Sequence, residues 1–172
     1  MDEESQLARR AAAGDAAAFT ALVRSHEGAV RRFLQRLARG DGADDLAQEV
    51  FIRAWRLAGD WRGDGSYRGW LMRIAWTTFL SAHRARGRRE TRDQSAFERQ
   101  EEAARDPNAA IDLYRALSEL GERERAAALL CYGEGCSHAE AATIMQLPLG
   151  TLKSVLGRAR IMLAARLEAI DD

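Results

Sequence analysis

"SHAEAATIMQLPLGTLKSVLGRAR", residues 137–160, is the stretch on which the fold turns. Its first four residues read as a capping box, in which Ser137 starts a helix and Glu140 reaches back to it. That helix runs to about Met145. The break "QLP" follows, and Pro148 stands near the first turn of the next helix, where its missing N–H is harmless. Two helices joined so tightly make a helix-turn-helix, whose second member enters the major groove of DNA. Projected at about 100° per residue, Leu149, Leu152, Leu156, Ala159, Leu163 and Leu167 fall on the core side. Thr151, Ser154 and Arg158 lie opposite, with Lys153 and Arg160 on one flank. Short hydroxyl donors and arginine near a helix N-terminus suit base edges and phosphates. An ordinary amphipathic terminal helix would carry the same pattern, so this stretch alone leaves both readings open.

Outward from it, apolar residues recur at three and four positions nearly everywhere, and no strand pattern emerges. Helices are expected at about 15–39, 43–58, 66–86, 108–119, 122–133, 137–145 and 148–169, which makes the fold all-α. Between residues 87 and 107 charges dominate and Phe97 is the sole large apolar side chain. Such a segment buries too little to offset its ordering entropy. It predicts a flexible linker, 87–107, between a helical domain at 1–86 and a helix-turn-helix domain at 108–172. The 172 residues carry 26 basic and 26 acidic side chains, so bulk charge does not hold nucleic acid and any DNA contact must be local or assisted. No apolar run approaches the roughly 18 residues of a bilayer span, and the polar N-terminus lacks a signal peptide's apolar core. A cytoplasmic protein without direct membrane insertion is expected. Cys131 and Cys136 make no disulfide framework. With His138 they leave a zinc site one ligand short, so neither a metal nor another cofactor is expected.

A second stretch, "DDLAQEVFIRAW" at 44–55, begins with acids in a chain rich in arginine. On a helical projection Leu46, Ala47, Val50, Ala54 and Leu57 face a core, while Asp45, Gln48, Glu49, Ile52 and Arg56 share a separate arc. Three readings stay open: acids complementing a helix dipole, a metal-dependent nuclease built on Asp41, Asp44, Asp45 and Glu49, or a docking surface for a basic protein. Next comes "WRGDGSYRGWLMRIA" at 61–75. Gly63 and Gly65 make a turn open to close approach, and Ser66 can cap the following helix. Along that helix Arg73, Thr77, Leu80 and Arg84 form one stripe, opposite Leu71, Ala75, Thr78 and Ala82. Five arginines and one glutamate between Arg84 and Arg92, Arg88 among them, leave a local excess of four positive charges, which suits a phosphate backbone. Trp61, Tyr67, Trp70 and Trp76 offer either stacking faces for unpaired bases or core packing.

Together these stretches resemble the extracytoplasmic-function (ECF) class of bacterial sigma factors, the promoter-specificity subunits of RNA polymerase, over nearly the whole chain. The resemblance implies a non-enzymatic protein that binds core RNA polymerase, recognises and helps open promoter DNA, and is restrained by an anti-sigma factor. It assigns Asp45, Gln48, Glu49 and Ile52 to polymerase docking. It places Trp61, Arg62, Gly63, Asp64 and Ser66 in a loop that holds a flipped base, and Arg73, Thr77, Arg84 and Arg88 along the minus-ten DNA. It gives Thr151, Lys153, Ser154 and Arg158 to the minus-thirty-five element. The chain departs from the family pattern at Thr77, Leu80, Ser81, Val155 and Gly157, which bears on the promoter sequence it reads. An autonomous helix-turn-helix regulator, with residues 1–86 as a sensor around a polar-lined cavity, is the alternative.

Overall fold

The computed structural model describes residues 3–92 and 109–171. Helices α1 (Glu3–Ala12), α2 (Ala16–Leu37), α3 (Ala43–Arg56) and α4 (Tyr67–Arg92) form the first half. The second holds α5 (Ala109–Glu119), α6 (Glu122–Ala128), which passes into a π turn at Leu129–Gly133, then α7 (His138–Met145) and α8 (Leu149–Asp171). No strand occurs among the described residues.

The sequence reading lacked α1. "EESQLARRAA" has few large apolar residues, yet Ala8 and Ala11 are buried, and small side chains let this helix lie close on α2 without producing a strong periodic signal. Gly14, at φ 90°, turns the chain. Asp15 then caps α2 by accepting from the N–H groups of Ala17 and Ala18, both at 3.0 Å. Leu22, Val30, Phe33, Leu34 and Leu37 of α2 meet Val50 of α3 and Leu71 and Ala75 of α4 in a closely filled core. Val30, Leu34, Leu37, Val50 and Ala75 have no exposed surface, so the centre of this half is lined by apolar side chains.

α4 continues to Arg92, past the expected boundary at residue 86. The rest of the expected linker, 93–107, lies outside the described residues. The two halves share one buried cluster that contains Leu34 and Leu37 as well as Leu129, Leu130, Ile144 and Leu152. α4 packs against α7, and α2 packs against α5, α6 and the π turn. Polar contacts also cross between the halves. Arg68 pairs with Glu134, whose side chain is almost fully buried. His83 Nδ1 lies 2.5 Å from Glu122. The Arg125 guanidinium donates to the Leu37 carbonyl at 2.7 Å, and also to the carbonyls of Leu117, Ser118 and Leu120. Burial first, and then repulsion from Arg39, lowers the Arg125 pKa to about 10.

Candidate nucleic-acid interface

α3 buries Ala43, Ala47, Val50 and Ala54 and turns Asp45, Gln48 and Ile52 to solvent, with Glu49 half-buried. Glu49 is not free, because Arg53 one turn later donates to it at 2.6 Å. Leu57, expected in the core, is exposed, as is Trp55, which the sequence reading left unassigned. Trp55 rests against Phe19 of α2 with ring centroids 5.0 Å apart. Ile52, Trp55 and Leu57 therefore give the acidic arc an apolar neighbour, a composition suited to protein docking. The signal was present in "FIRAWRL", where apolar residues outnumber the places on the core stripe. Of the acids in the nuclease alternative, Asp41, Asp44 and Glu49 are drawn into separate ion pairs, and Asp45 is exposed. Asp44 accepts from Arg31 at 2.7 Å, and Asp41 pairs with Arg86. Among the described residues no group of three or more His, Cys, Asp or Glu could hold a metal ion.

A 3-10 turn at Ala58–Asp60 leads into the loop Trp61–Ser66. Arg62, Gly63, Asp64, Gly65 and Ser66 are exposed. Gly63 and Gly65 have φ of 82° and 93°, a region other side chains enter only with strain. Ser66 Oγ accepts from the Gly69 N–H at 3.0 Å and begins α4. The aromatic set is mostly structural. Tyr67 and Trp76 are buried, and Trp76 stacks on Phe79 with centroids 6.0 Å apart. Trp61 is half-buried and meets Tyr67 edge-on at 5.7 Å. Its indole Nε1 and the Tyr67 hydroxyl are both buried without a hydrogen-bond partner among the described residues. Trp61 is thus an anchor of the loop as much as a face of it. Burial, and then the nearby Glu4 carboxylate, pushes the Tyr67 phenol up to about 12. Beyond the loop, Arg73, Arg84 and Arg88 stand exposed along α4. Thr77 is half-buried and spends its hydroxyl on the carbonyls of Arg73 and Ile74.

In the second half the capping box is present in both directions: Ser137 N–H donates to Glu140 at 2.8 Å, and Glu140 N–H to Ser137 Oγ at 3.2 Å. Gln146 closes α7 in the left-handed region at φ 56°, and Leu147 N–H reaches back to Ala142 at 2.9 Å. α8 then starts at Leu149 with Thr151, Lys153, Ser154 and Arg158 exposed. Arg158 donates to Glu124 of α6 at 3.1 and 3.2 Å, so a DNA contact would have to exchange that partner. One projected position is reversed, and one that the projection passed over joins the core. Leu149 is exposed and Val155 is buried, because the core strip of α8 passes through Leu152, Val155, Leu156 and Ala159 rather than through its first residue. Cys131 and Cys136 are half-buried free thiols that burial pushes up.

Residues 22–89 match the family model of sigma-70 region 2, and residues 110–163 that of sigma-70 region 4. The chain is 34% identical to an RNA polymerase sigma-H factor of Pseudomonas aeruginosa, covering 99% of this chain and 93% of that one. It is 32% identical to the ECF RNA polymerase sigma-E factor of Escherichia coli K12, covering 96% and 91%. Among solved structures, the sigma factor RpoE in complex with the anti-sigma factor NepR from Bartonella quintana superposes with a TM-score of 0.78 at 29% identity, covering 87% of this chain and 96% of that one. CnrH in complex with the cytosolic domain of CnrY does so with a TM-score of 0.73 at 27% identity, covering 98% and 99%. With relatives this similar over almost their full length, matching in both regions and in the order of the motifs, the chain belongs to the extracytoplasmic-function class of RNA polymerase sigma factors.

Proposed function

We propose that this sigma factor binds core RNA polymerase through α3, carries it to promoter DNA in the cytoplasm, and supports strand opening without catalysis of its own. The observation that carries the reading is the exposed arc of Asp45, Gln48 and Ile52 beside Trp55 and Leu57, on a helix whose opposite face is fully packed. A helix that leaves an isoleucine, a tryptophan and a leucine in water next to carboxylates fits a partner with a basic, partly apolar surface. Residues 1–86 would serve the polymerase and the minus-ten element, the latter through Arg62–Ser66, Arg73, Thr77, Arg84 and Arg88. Residues 108–172 would serve the minus-thirty-five element through Thr151, Lys153, Ser154 and Arg158, with 87–107 as the connection. Two of the solved relatives named above are complexes with an anti-sigma factor or a cytosolic partner domain, which supports an anti-sigma factor as a further partner.

Genomic fragments incubated with the chain, with and without core polymerase, test this in mobility-shift and transcription assays. The chain alone should bind duplex weakly and with little sequence preference. Core enzyme should add specific binding, strand opening and transcripts. Tight, specific binding by the chain alone, unchanged by polymerase, would favour the autonomous regulator instead.

A further inference from the structure

The loop Arg62–Ser66 leaves the core at Trp61 and re-enters it at Tyr67, and these two flanking rings touch, with centroids 5.7 Å apart. Five exposed residues are therefore closed at their base by an aromatic contact. Tyr67 also lies 5.2 Å from the Trp70 ring and 5.8 Å from the His26 imidazole. His26 is buried and its Nε2 meets Glu4 Oε1 of α1 at 2.7 Å. α1 packs as well against the 3-10 turn that delivers Trp61. Both arms of the loop thus lean on α1, one through Glu4, His26 and Tyr67, the other through the turn.

We infer that Glu4 and His26 are positioning residues for the loop, holding its two ends together so that it meets an unpaired base already in shape. This rests on the reading of Arg62–Ser66 as the base-holding loop. The polar atoms of the two flanking rings, Trp61 Nε1 and Tyr67 OH, make no hydrogen bond among the described residues. Ring contact sets the position of these side chains, and ring contact fixes orientation only as well as its neighbours are fixed. The Glu4–His26 pair supplies that fixity by setting the imidazole plane on which Tyr67 rests. The Glu4 carboxylate is near enough to Tyr67 to act on its phenol electrostatically, which places all three groups in one cluster. A preformed loop matters because unstacking a base is itself unfavourable by a few kcal/mol, and a receptor that must order itself on contact loses affinity to entropy.

The probe is a single-stranded oligodeoxynucleotide selected from a random pool by the wild-type chain bound to core polymerase, then remade with an abasic site at each position in turn. Wild type should lose on the order of tenfold at one position, the size of one base contact. Glu4→Ala should bind the intact oligonucleotide weaker by a comparable factor and lose little more at that abasic position. Its affinity for core polymerase should be unchanged, and amide exchange at 61–67 should quicken. Glu4→Gln, which still offers His26 an acceptor, should recover most of the affinity. If Glu4→Ala suffers the full abasic penalty, or loses core affinity as well, α1 is a general brace and the inference falls while the loop reading stands. If no abasic position matters to wild type, the base-holding reading fails and takes the inference with it.

Discussion

Arg125 is the residue whose removal tests the packing most directly. It is buried in α6 and donates to four backbone carbonyls, those of Leu117, Ser118 and Leu120 around the end of α5 and that of Leu37 at the end of α2. Carbonyls at a helix C-terminus carry partial negative charge, which favours a cation there. Hydrogen bonds from a charged donor contribute about 1.5 kcal/mol each at the low end, hence roughly 6 kcal/mol for the set. That figure is already net of desolvation, whose mark is the guanidinium pKa held at about 10, below its ordinary 12.5. Arg125→Met, which keeps the aliphatic volume and deletes the donors, should therefore destabilise the protein by at least about 3 kcal/mol. Urea unfolding followed by circular dichroism measures it as a lower midpoint at little-changed slope. Because one of the four bonds crosses to α2, a distance probe between α2 and α5 should also lengthen. A loss under about 0.5 kcal/mol, the size of an ordinary surface substitution, with the probe distance unchanged, would refute the account of Arg125 as a bolt between the halves.

Asp45→Lys combined with Glu49→Lys should weaken core-polymerase binding by on the order of 2 kcal/mol or more at unchanged helix content, and unaltered affinity would remove the docking assignment. Arg158→Ala should cost on the order of 1–3 kcal/mol at the upstream element in a titration of holoenzyme on promoter DNA. Val155→Arg, which a surface reading of α8 would expect to strengthen DNA binding, should instead unfold the second half, because Val155 is 2% exposed and a lone buried charge is strongly unfavourable. A thermal melt of that variant matching wild type would contradict the burial. The Ser137 N–H and hydroxyl hold the Glu140 carboxyl below its ordinary value of 4.5. A lowered folded pKa means the capping contribution is complete above that pH and is lost as pH falls through the folded value. Acid titration of Glu140→Gln should lack this component, and identical acid profiles would show that the box adds nothing.

Much of the architecture was legible along the chain. The capping box, the "QLP" break, the glycines at 63 and 65 and the acid-led arc of α3 are local patterns, dictated by backbone geometry and helical period within a few residues, and their order was enough to suggest the family. Burial at a particular position was less legible, since a projection assumes a core strip of constant direction. It failed at Leu57 and Leu149, each at a helix end, and it passed over Val155, through which the buried strip of α8 runs. α1 escaped because alanine gives little hydropathic contrast, although small side chains are what let two helices approach closely. What only the tertiary structure decided is long-range pairing: His26 with Glu4 and Tyr67, Arg68 with Glu134, Arg125 with Leu37. Periodicity tells which face of a helix avoids water but not which surface covers it, because the hydrophobic effect is non-directional and any apolar partner satisfies it. The choice of partner, and with it the joining of the two halves through one buried cluster, belongs to the packed whole.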